Sequence, residues 1–180
     1  MRIISGQWRG RPLDAPQGIA TRPTSDRARE GLFSMLASRL GSFDKLAVAD
    51  LFAGTGALGL EALSRGAAHC TFVEKDRAAL DTLKRNIARL GATDRTDVRA
   101  QAVEHAPAPL RPFDLILLDP PYGTGLVQAA LDHVAPWLAP GGWLSVELNG
   151  EAITPPPGLD LNAERRFGKA TLLLFRRPAA

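Results

Sequence analysis

"DLFAGTGALGLE", residues 50–61, decides the fold, because an apolar strand runs directly into a glycine-rich turn and then into a helix. Gly54, Gly56 and Gly59 fit the pattern G-x-G-x-x-G, in which glycines let the backbone approach a ligand closely. Glu74 ends the next apolar run, where its carboxylate can accept hydrogen bonds from ribose hydroxyls. The pattern indicates a site for a dinucleotide or another adenosine-type cofactor; a tight structural turn is the alternative.

Asp50 lies inside the first strand of this unit. A carboxylate at this position is unusual for a dehydrogenase fingerprint. It fits better as a group that faces a cationic amino-acid tail, such as that of S-adenosylmethionine.

Strands and helices alternate outward from this stretch. Apolar runs predict strands over 46–52, 69–74, 96–101, 113–119, 142–148 and 170–177. Helical periodicity predicts helices over 25–40, 57–66, 76–90 and 125–138. We therefore expect an α/β fold with a mostly parallel sheet and right-handed crossovers. The last two strands have no helix between them, which predicts an antiparallel C-terminal hairpin at the sheet edge.

The 180 residues have the length of one domain, and we divide them into a basic arm or hairpin, 1–23, and a main domain, 24–180. Residues 1–40 hold seven arginines against three acidic residues, whereas the whole chain carries a net charge of only +3. This excess favours a polyanionic partner such as RNA. A high genomic G+C content would enrich arginine as well.

The remaining composition predicts a cytoplasmic protein without a metal. Cys70 is the only cysteine, which excludes an internal disulfide, and it lies in an apolar run typical of a buried thiol. No apolar stretch approaches the roughly 18 residues of a membrane span, and the first residues lack the apolar core of a signal peptide. The three histidines have no ligand spacing, so we expect no metal site.

A second motif is "LILLDPPYG", residues 115–123, where a buried strand ends in Asp119, Pro120, Pro121 and Tyr122. Proline fixes φ and removes the backbone N–H, so the segment offers rigid acceptors. The Asp119 carboxylate and the Pro120 carbonyl can together accept both hydrogens of an exocyclic amine, and Tyr122 can stack on a base. The alternative is a turn that happens to have this sequence.

A third motif is "TRPTSDRAREGLF", residues 21–33. Its arginines, with Arg29 among them, could pair with phosphates or with a cofactor carboxylate, and Trp8 of the preceding arm could stack on a base. A capped, solvated helix start explains the same residues equally well.

The chain resembles the RsmD-type bacterial rRNA (guanine-N2)-methyltransferases. The resemblance covers nearly the whole chain and rests on RIISGQWRGRPL (2–13), TRPTSDRAREGLF (21–33), LFAGTGALGLEALSRGA (51–67), DPPYGTGL (119–126) and FGKATLLLFRR (167–177). It implies a seven-stranded Rossmann-like methyltransferase sheet and S-adenosylmethionine as donor. The implied acceptor is N2 of guanine 966 in 16S rRNA, or in the assembling small subunit. We expect a monomer.

The resemblance also implies roles for individual residues. Asp119, Pro120, Pro121 and Tyr122 would hold the target guanine. The cofactor would contact Arg22, Thr24, Asp50, Phe52, Gly54, Gly56, Glu74, Lys75, Gln101 and Ala102. RNA would contact Arg2, Trp8, Arg9, Arg11 and Arg27. Gln101 departs from the Asp or Asn that methyltransferases often carry near the adenine.

Three other functions remain open from the sequence. An adenine-N6 methyltransferase shares the D-P-P-Y motif, so the tetrapeptide alone names neither base nor polymer. A nicotinamide-dependent oxidoreductase would explain the glycines and Glu74 but not residues 119–122. A nonenzymatic RNA-binding assembly factor would be expected to have damaged motifs, and both motifs are intact here.

Overall fold

The structure, a computed structural model, describes residues 1–16 and 23–180. Its helices are α1 (Pro23–Leu40), α2 (Ala57–Ser64), α3 (Arg77–Leu90) and α4 (Val127–Val134). Its strands are β1 (Ala47–Leu51), β2 (His69–Glu74), β3 (Thr96–Ala100), β4 (Phe113–Leu118), β5 (Leu138–Leu148), β6 (Asp160–Phe167) and β7 (Ala170–Arg176). Short 3₁₀ turns cover Thr93–Arg95, Val103–His105 and Ala135–Trp137.

The seven strands form one sheet in the order β3-β2-β1-β4-β5-β7-β6. β1 to β5 are parallel to one another, and β7 is antiparallel to both β5 and β6. The predicted α/β fold, a mostly parallel Rossmann-like sheet with an antiparallel C-terminal strand, is confirmed. Chain order reverses between β1 and β4, and doubly wound sheets bind ligands at the carboxyl ends of the strands on either side of such a point.

Both faces of the sheet are buried, as a parallel sheet requires. Side chains alternate along β4: Leu115 and Leu117 pack with α1, α2 and α3, whereas Ile116 and Leu118 pack with α4 on the other face. β4 is therefore fully apolar and central, which explains why its sequence reads as a continuous hydrophobic run rather than an alternation.

The C-terminal region differs from the prediction in two ways. Residues 160–167, for which the sequence predicted no strand, form β6, and the hairpin is β6–β7 rather than β5–β7. β6 lies at the sheet edge and is mostly exposed, so it carries no apolar alternation by which it could be recognised. The predicted helix over 125–138 ends at Val134, because Pro136 follows and the chain tightens into a 3₁₀ turn.

The N-terminal segment, residues 1–16, packs against the helices. Arg2 and Pro12 form an antiparallel bridge, and Ile3, Trp8 and Leu13 are buried in the core formed by α1–α3. The prediction that Trp8 stacks on a base is therefore wrong for this conformation: its ring is 5% exposed and lies under the Arg95 guanidinium, 5.4 Å from it. Burial of an aromatic ring of this size is more favourable in free energy than its exposure to solvent.

Glu61 of α2 holds this segment in place. Its fully buried carboxylate accepts hydrogen bonds from the backbone N–H groups of Ile4 (2.8 Å) and Ser5 (3.0 Å) and from Arg65 Nε (2.9 Å). Arg29 of α1 lies 4.0 Å away and donates to the Arg2 carbonyl. Arg29 is thus buried and used structurally, contrary to the prediction that it pairs with phosphates.

No helix among residues 1–16 and 23–180 is long and apolar enough to cross a membrane.

We expect Glu61→Ala to lower the free energy of unfolding by roughly 3–5 kcal/mol, because it leaves a buried guanidinium and two backbone donors without their acceptor. Chemical denaturation measures the change. The control Asp97→Ala breaks an exposed 3.0 Å ion pair with Arg99 and should cost at most about 1 kcal/mol. Equal losses in the two variants would contradict the central role of Glu61.

Candidate active site at the carboxyl ends of β1 and β4

The turn between β1 and α2 has a backbone that requires glycine. Gly56 caps α2 with φ of 85°, in the left-handed region. A Cβ on Gly59 would lie 2.4 Å from the Phe72 ring and 2.6 Å from Cys70 Sγ, so this glycine lets α2 approach β2 closely. Phe52 also has a positive φ, 60°, which is costly for a residue with a side chain. The turn is held by packing in a conformation that few sequences adopt.

Asp50 lies under this turn and is 1% exposed. Its Oδ2 accepts a hydrogen bond of 2.8 Å from the Gly59 N–H. Burial raises the pKa of Asp50 to about 8; the Gly59 hydrogen bond opposes the shift, and the charge of Glu74 adds to it. A cation placed beside Asp50 would favour its ionised form.

A first cavity of about 300 Å³ opens beside the end of β2. It brings together seven of the predicted site residues: Phe52, Glu74, Lys75, Gln101, Ala102, Asp119 and Pro121. Glu74 Oε1 accepts the Gly54 N–H at 3.3 Å, and Oε2 accepts the Lys75 N–H at 3.0 Å, so its carboxylate is fixed at the cavity wall. We refer to this space as the β2 cavity.

A second cavity of about 200 Å³ lies between α1 and the ends of β1, β4 and β5. Asp50, Phe52, Gly54 and Asp119 line it, together with Ser145 and Glu147 of β5 and with Met1, Asp26 and Arg29. Phe52 and Asp119 belong to both cavities. We refer to this space as the β5 cavity; the two are adjacent, and Asp119 lies where they meet.

The D-P-P-Y segment leaves β4 at this junction. The Asp119 N–H donates to the Leu51 carbonyl at 3.3 Å, which ties the end of β4 to the end of β1. Pro120 is buried, whereas Pro121 is exposed and Tyr122 is 40% exposed. The Tyr122 hydroxyl donates to Glu147 Oε2 at 2.9 Å, so the aromatic ring is held over the β5 side of the site.

Asp119 lies among other acidic groups. Burial raises its pKa, and so do the charge of Glu147, a side-chain hydrogen bond with Glu147 and the charge of Asp50. Burial and the neighbouring carboxyl groups therefore make Asp119 a stronger base than an ordinary aspartate.

Sequence reasoning missed Glu147 and Ser145. Both are polar residues on one face of the otherwise apolar β5, and both line the β5 cavity. The signal was available, because Glu147 breaks an apolar strand just as Asp50 does in β1. It was overlooked because GWLSVEL reads as an ordinary half-buried strand.

The remaining predicted residues either lie outside the two cavities or are not among the residues that the structure describes. Arg22 and the side chain of Thr24 are not among the described residues, and their roles stay predictions. Gly56 is at the start of α2 and shapes the turn. Of the residues predicted to bind RNA, Arg2, Arg9, Arg11 and Arg27 are exposed. Arg11 also donates to the Arg89 carbonyl at 2.7 Å.

We expect Asp50→Asn to stabilise the ligand-free protein increasingly as the pH rises. The raised pKa means that the native state holds a proton on Asp50 that the unfolded state releases above about pH 4. Wild type therefore loses this contribution between pH 5 and 8, by up to about 4 kcal/mol, whereas the variant does not. Urea unfolding at pH 5, 6.5 and 8 measures the difference, with Asp81→Asn on the exposed face of α3 as control; a difference independent of pH would contradict the burial argument.

Comparison with known proteins places this geometry in a family. A family model described as "Conserved hypothetical protein 95" matches residues 1–176. Ribosomal RNA small subunit methyltransferase D of Escherichia coli is 39% identical, over 99% of this chain and 91% of the relative. The protein of the same name from Haemophilus influenzae is 33% identical, over 98% of this chain and 93% of the relative.

Solved structures agree with this assignment. The Escherichia coli protein YhhF aligns with a TM-score of 0.88 and 38% identity, covering 100% of this chain and 99% of that chain. A Synechocystis magnesium protoporphyrin IX methyltransferase, solved with bound S-adenosylmethionine, shares the fold with a TM-score of 0.71 at 13% identity, covering 89% and 86%. On the full-length family match and the identity to its named relatives, the chain belongs to the RsmD-type methyltransferase family.

Proposed function

We propose that this protein transfers a methyl group from S-adenosylmethionine to the exocyclic N2 of a guanine in 16S rRNA, by resemblance guanine 966. One observation carries the proposal: Asp119 lines both the β2 cavity and the β5 cavity. A cofactor that reaches from Glu74 in the β2 cavity to Asp50 in the β5 cavity would pass Asp119, so an amine gripped by Asp119 would face it.

The residues of the cavities fit S-adenosylmethionine. Glu74 offers carboxylate oxygens to ribose hydroxyls at the end of β2, and Gln101 and Ala102 line the same wall. Asp50 is a buried carboxylate whose raised pKa is relieved by a cation, as expected for a group that faces a cationic amino-acid tail. Bound there, S-adenosylmethionine supplies an electrophilic methyl group.

The D-P-P-Y segment orients the amine. The Asp119 carboxylate and the Pro120 carbonyl accept the two N2 hydrogens, which directs the nitrogen lone pair away from both acceptors. Tyr122 offers a flat face beside the base, a contact worth roughly 1–3 kcal/mol. A guanine can reach such a site only after leaving its stack.

Asp119 also takes up the proton that N2 must lose when it gains a methyl group. Its raised pKa, caused first by burial and then by Glu147, makes it a stronger base than an ordinary aspartate. Positioning and proton acceptance therefore fall on the same side chain.

The rRNA substrate is supported by the names of the relatives and by the charge of the N-terminal segment. The Escherichia coli and Haemophilus influenzae relatives are called ribosomal RNA small subunit methyltransferases. Arg2, Arg9 and Arg11 are exposed on residues 1–16, and Met1 of the same segment borders the β5 cavity. Exposed cationic side chains of this kind are suited to phosphates of cytoplasmic RNA.

The defining experiment supplies tritiated S-adenosylmethionine with 16S rRNA, or with small subunits from a strain lacking the enzyme. We expect label on one guanine, at N2, identified by nucleoside analysis and mapping. Label on adenine N6 would favour the alternative amino methyltransferase. Stabilisation against heat by NAD but not by S-adenosylmethionine would favour an oxidoreductase.

We expect Asp119→Ala to bind S-adenosylmethionine within a few-fold of wild type but to lose methyl transfer by roughly 10²-fold or more, because it removes both an amine acceptor and the proton acceptor. Asp119→Asn keeps one acceptor oxygen and should lose less. Calorimetry measures cofactor binding and single-turnover assays measure transfer, with Asp132→Ala on exposed α4 as control. Wild-type turnover by Asp119→Ala would refute the assignment.

We expect the double variant Arg9→Glu, Arg11→Glu to weaken RNA binding and to reduce the salt slope of log Kd by roughly 1–2, because phosphate contacts release counterions. The control Arg111→Glu, Arg176→Glu reverses two exposed charges outside the N-terminal segment. Filter binding between low and moderate salt measures both slopes. An unchanged slope in the first variant would count against an RNA-contacting N-terminal segment.

A further inference from the structure

We propose that Glu147 reads the N1–H of the target guanine and thereby rejects adenine. This inference rests on the proposed function and deepens it, since it names the group that selects the base. The D-P-P-Y acceptors alone do not select, because an amine on either purine satisfies them.

Guanine and adenine differ at the ring nitrogen N1, which lies beside the amine in both bases. In guanine the N2 amine neighbours N1–H, a donor. In adenine, turned over so that its N6 amine takes the same place, the neighbouring N1 has no hydrogen and presents a lone pair. An acceptor placed next to the amine clamp therefore binds guanine and repels adenine, and a carboxylate is the strongest such acceptor.

Glu147 is the carboxylate in that place. It lies on β5, one residue after Val146, which pairs with Leu118 at the end of β4. Glu147 and Asp119 both line the β5 cavity, and they are close enough for a side-chain hydrogen bond between them. An acceptor for the atom next to the amine thus stands directly beside the acceptor for the amine.

Tyr122 fixes the orientation of this acceptor. Its hydroxyl donates to Glu147 Oε2 at 2.9 Å, and a carboxylate has a second oxygen that can take another donor. The same ring that offers a stacking face therefore holds the reading group. Ser145 is buried on the same face of β5 and lines the same cavity. Its side chain is uncharged, so it does not compete with the base as a cationic partner of Glu147.

The expected selectivity is large enough to measure. A hydrogen bond to a charged group, together with the cost of leaving a partly buried carboxylate facing a lone pair, corresponds to a discrimination of roughly 10- to 100-fold or more. The Glu147→Gln substitution keeps the shape of the side chain and offers either an oxygen or an N–H to N1, so the variant can accept both bases.

The test uses small subunits reconstituted with 16S rRNA transcripts that carry guanine or adenine at the mapped target position. Methyl transfer is compared as kcat/KM on the two substrates for wild type, Glu147→Gln and Tyr122→Phe. Glu164→Gln, the same chemical change on the exposed β6, is the control. Thermal unfolding and S-adenosylmethionine binding establish that each variant is folded.

We expect Glu147→Gln to lower the guanine-to-adenine ratio at least about tenfold, Tyr122→Phe to lower it less, and Glu164→Gln to leave it unchanged. A folded, cofactor-binding Glu147→Gln that keeps the wild-type ratio, or that slows both substrates by one factor, would overturn the inference. If Glu147→Gln does not fold, Glu147→Asp decides, because the shorter side chain withdraws the acceptor; an unaltered ratio there also overturns it. Failure of wild type on guanine would instead overturn the proposed function.

Discussion

The burial of carboxyl groups at one edge of the sheet is the constraint on which this site depends. Asp50, Asp119 and Glu147 come from three adjacent strands, and the parallel register brings their ends to one edge of the sheet. Burial raises the pKa of Asp50 to about 8 and also raises that of Asp119, to which the charge of Glu147 adds. A fold optimised for stability alone would place apolar residues here. Donors and a cation in the cavities would favour the ionised carboxylates, so ligand binding would relieve part of this cost.

The N-terminal segment is joined to this edge through a second buried charge network. Glu61 binds the backbone of Ile4 and Ser5, and Arg29 links Arg2 to α1. Met1 and Arg29 both line the β5 cavity, so residues 1–16 form part of the wall of this cavity together with α1.

The sequence predicted those strands and turns whose burial produces a recognisable pattern of apolar residues or glycines. β1, β2 and β4 are covered on both faces and read as apolar runs, and the glycine turn is dictated by the close approach of α2 to Phe72. β6 escaped prediction because an exposed edge strand needs no apolar alternation. Trp8 and Arg29 were misread for a related reason: both belong to residue types that suit RNA, and only the tertiary packing decides whether such a side chain faces solvent or the core.

The candidate site, like the fold, was predicted from the sequence only in part. Asp50, Glu74 and Asp119 were predicted from their positions within or at the end of a strand, and Phe52 and Gln101 from the family resemblance. The structure brings all five to the two cavities. Glu147 was not found because its partners, Asp119 and Tyr122, are distant in the chain; only pairing of β4 with β5 makes them neighbours.

The parts of the candidate site differ in how selective they are for one ligand. The glycine turn with Glu74 would suit an adenosine-type ligand of almost any class, and D-P-P-Y would suit an exocyclic amine on either purine. Selection of one base requires a group that senses the atom next to the amine, and in the proposed function β4 already supplies the clamp, so this group would come from a neighbouring strand. β5 is the strand beside β4 on that side, and its only acidic side chain facing the β5 cavity is Glu147. If Glu147 selects the base as we propose, base selectivity in this fold is a property of strand pairing, and the same amine motif can serve enzymes that methylate different bases.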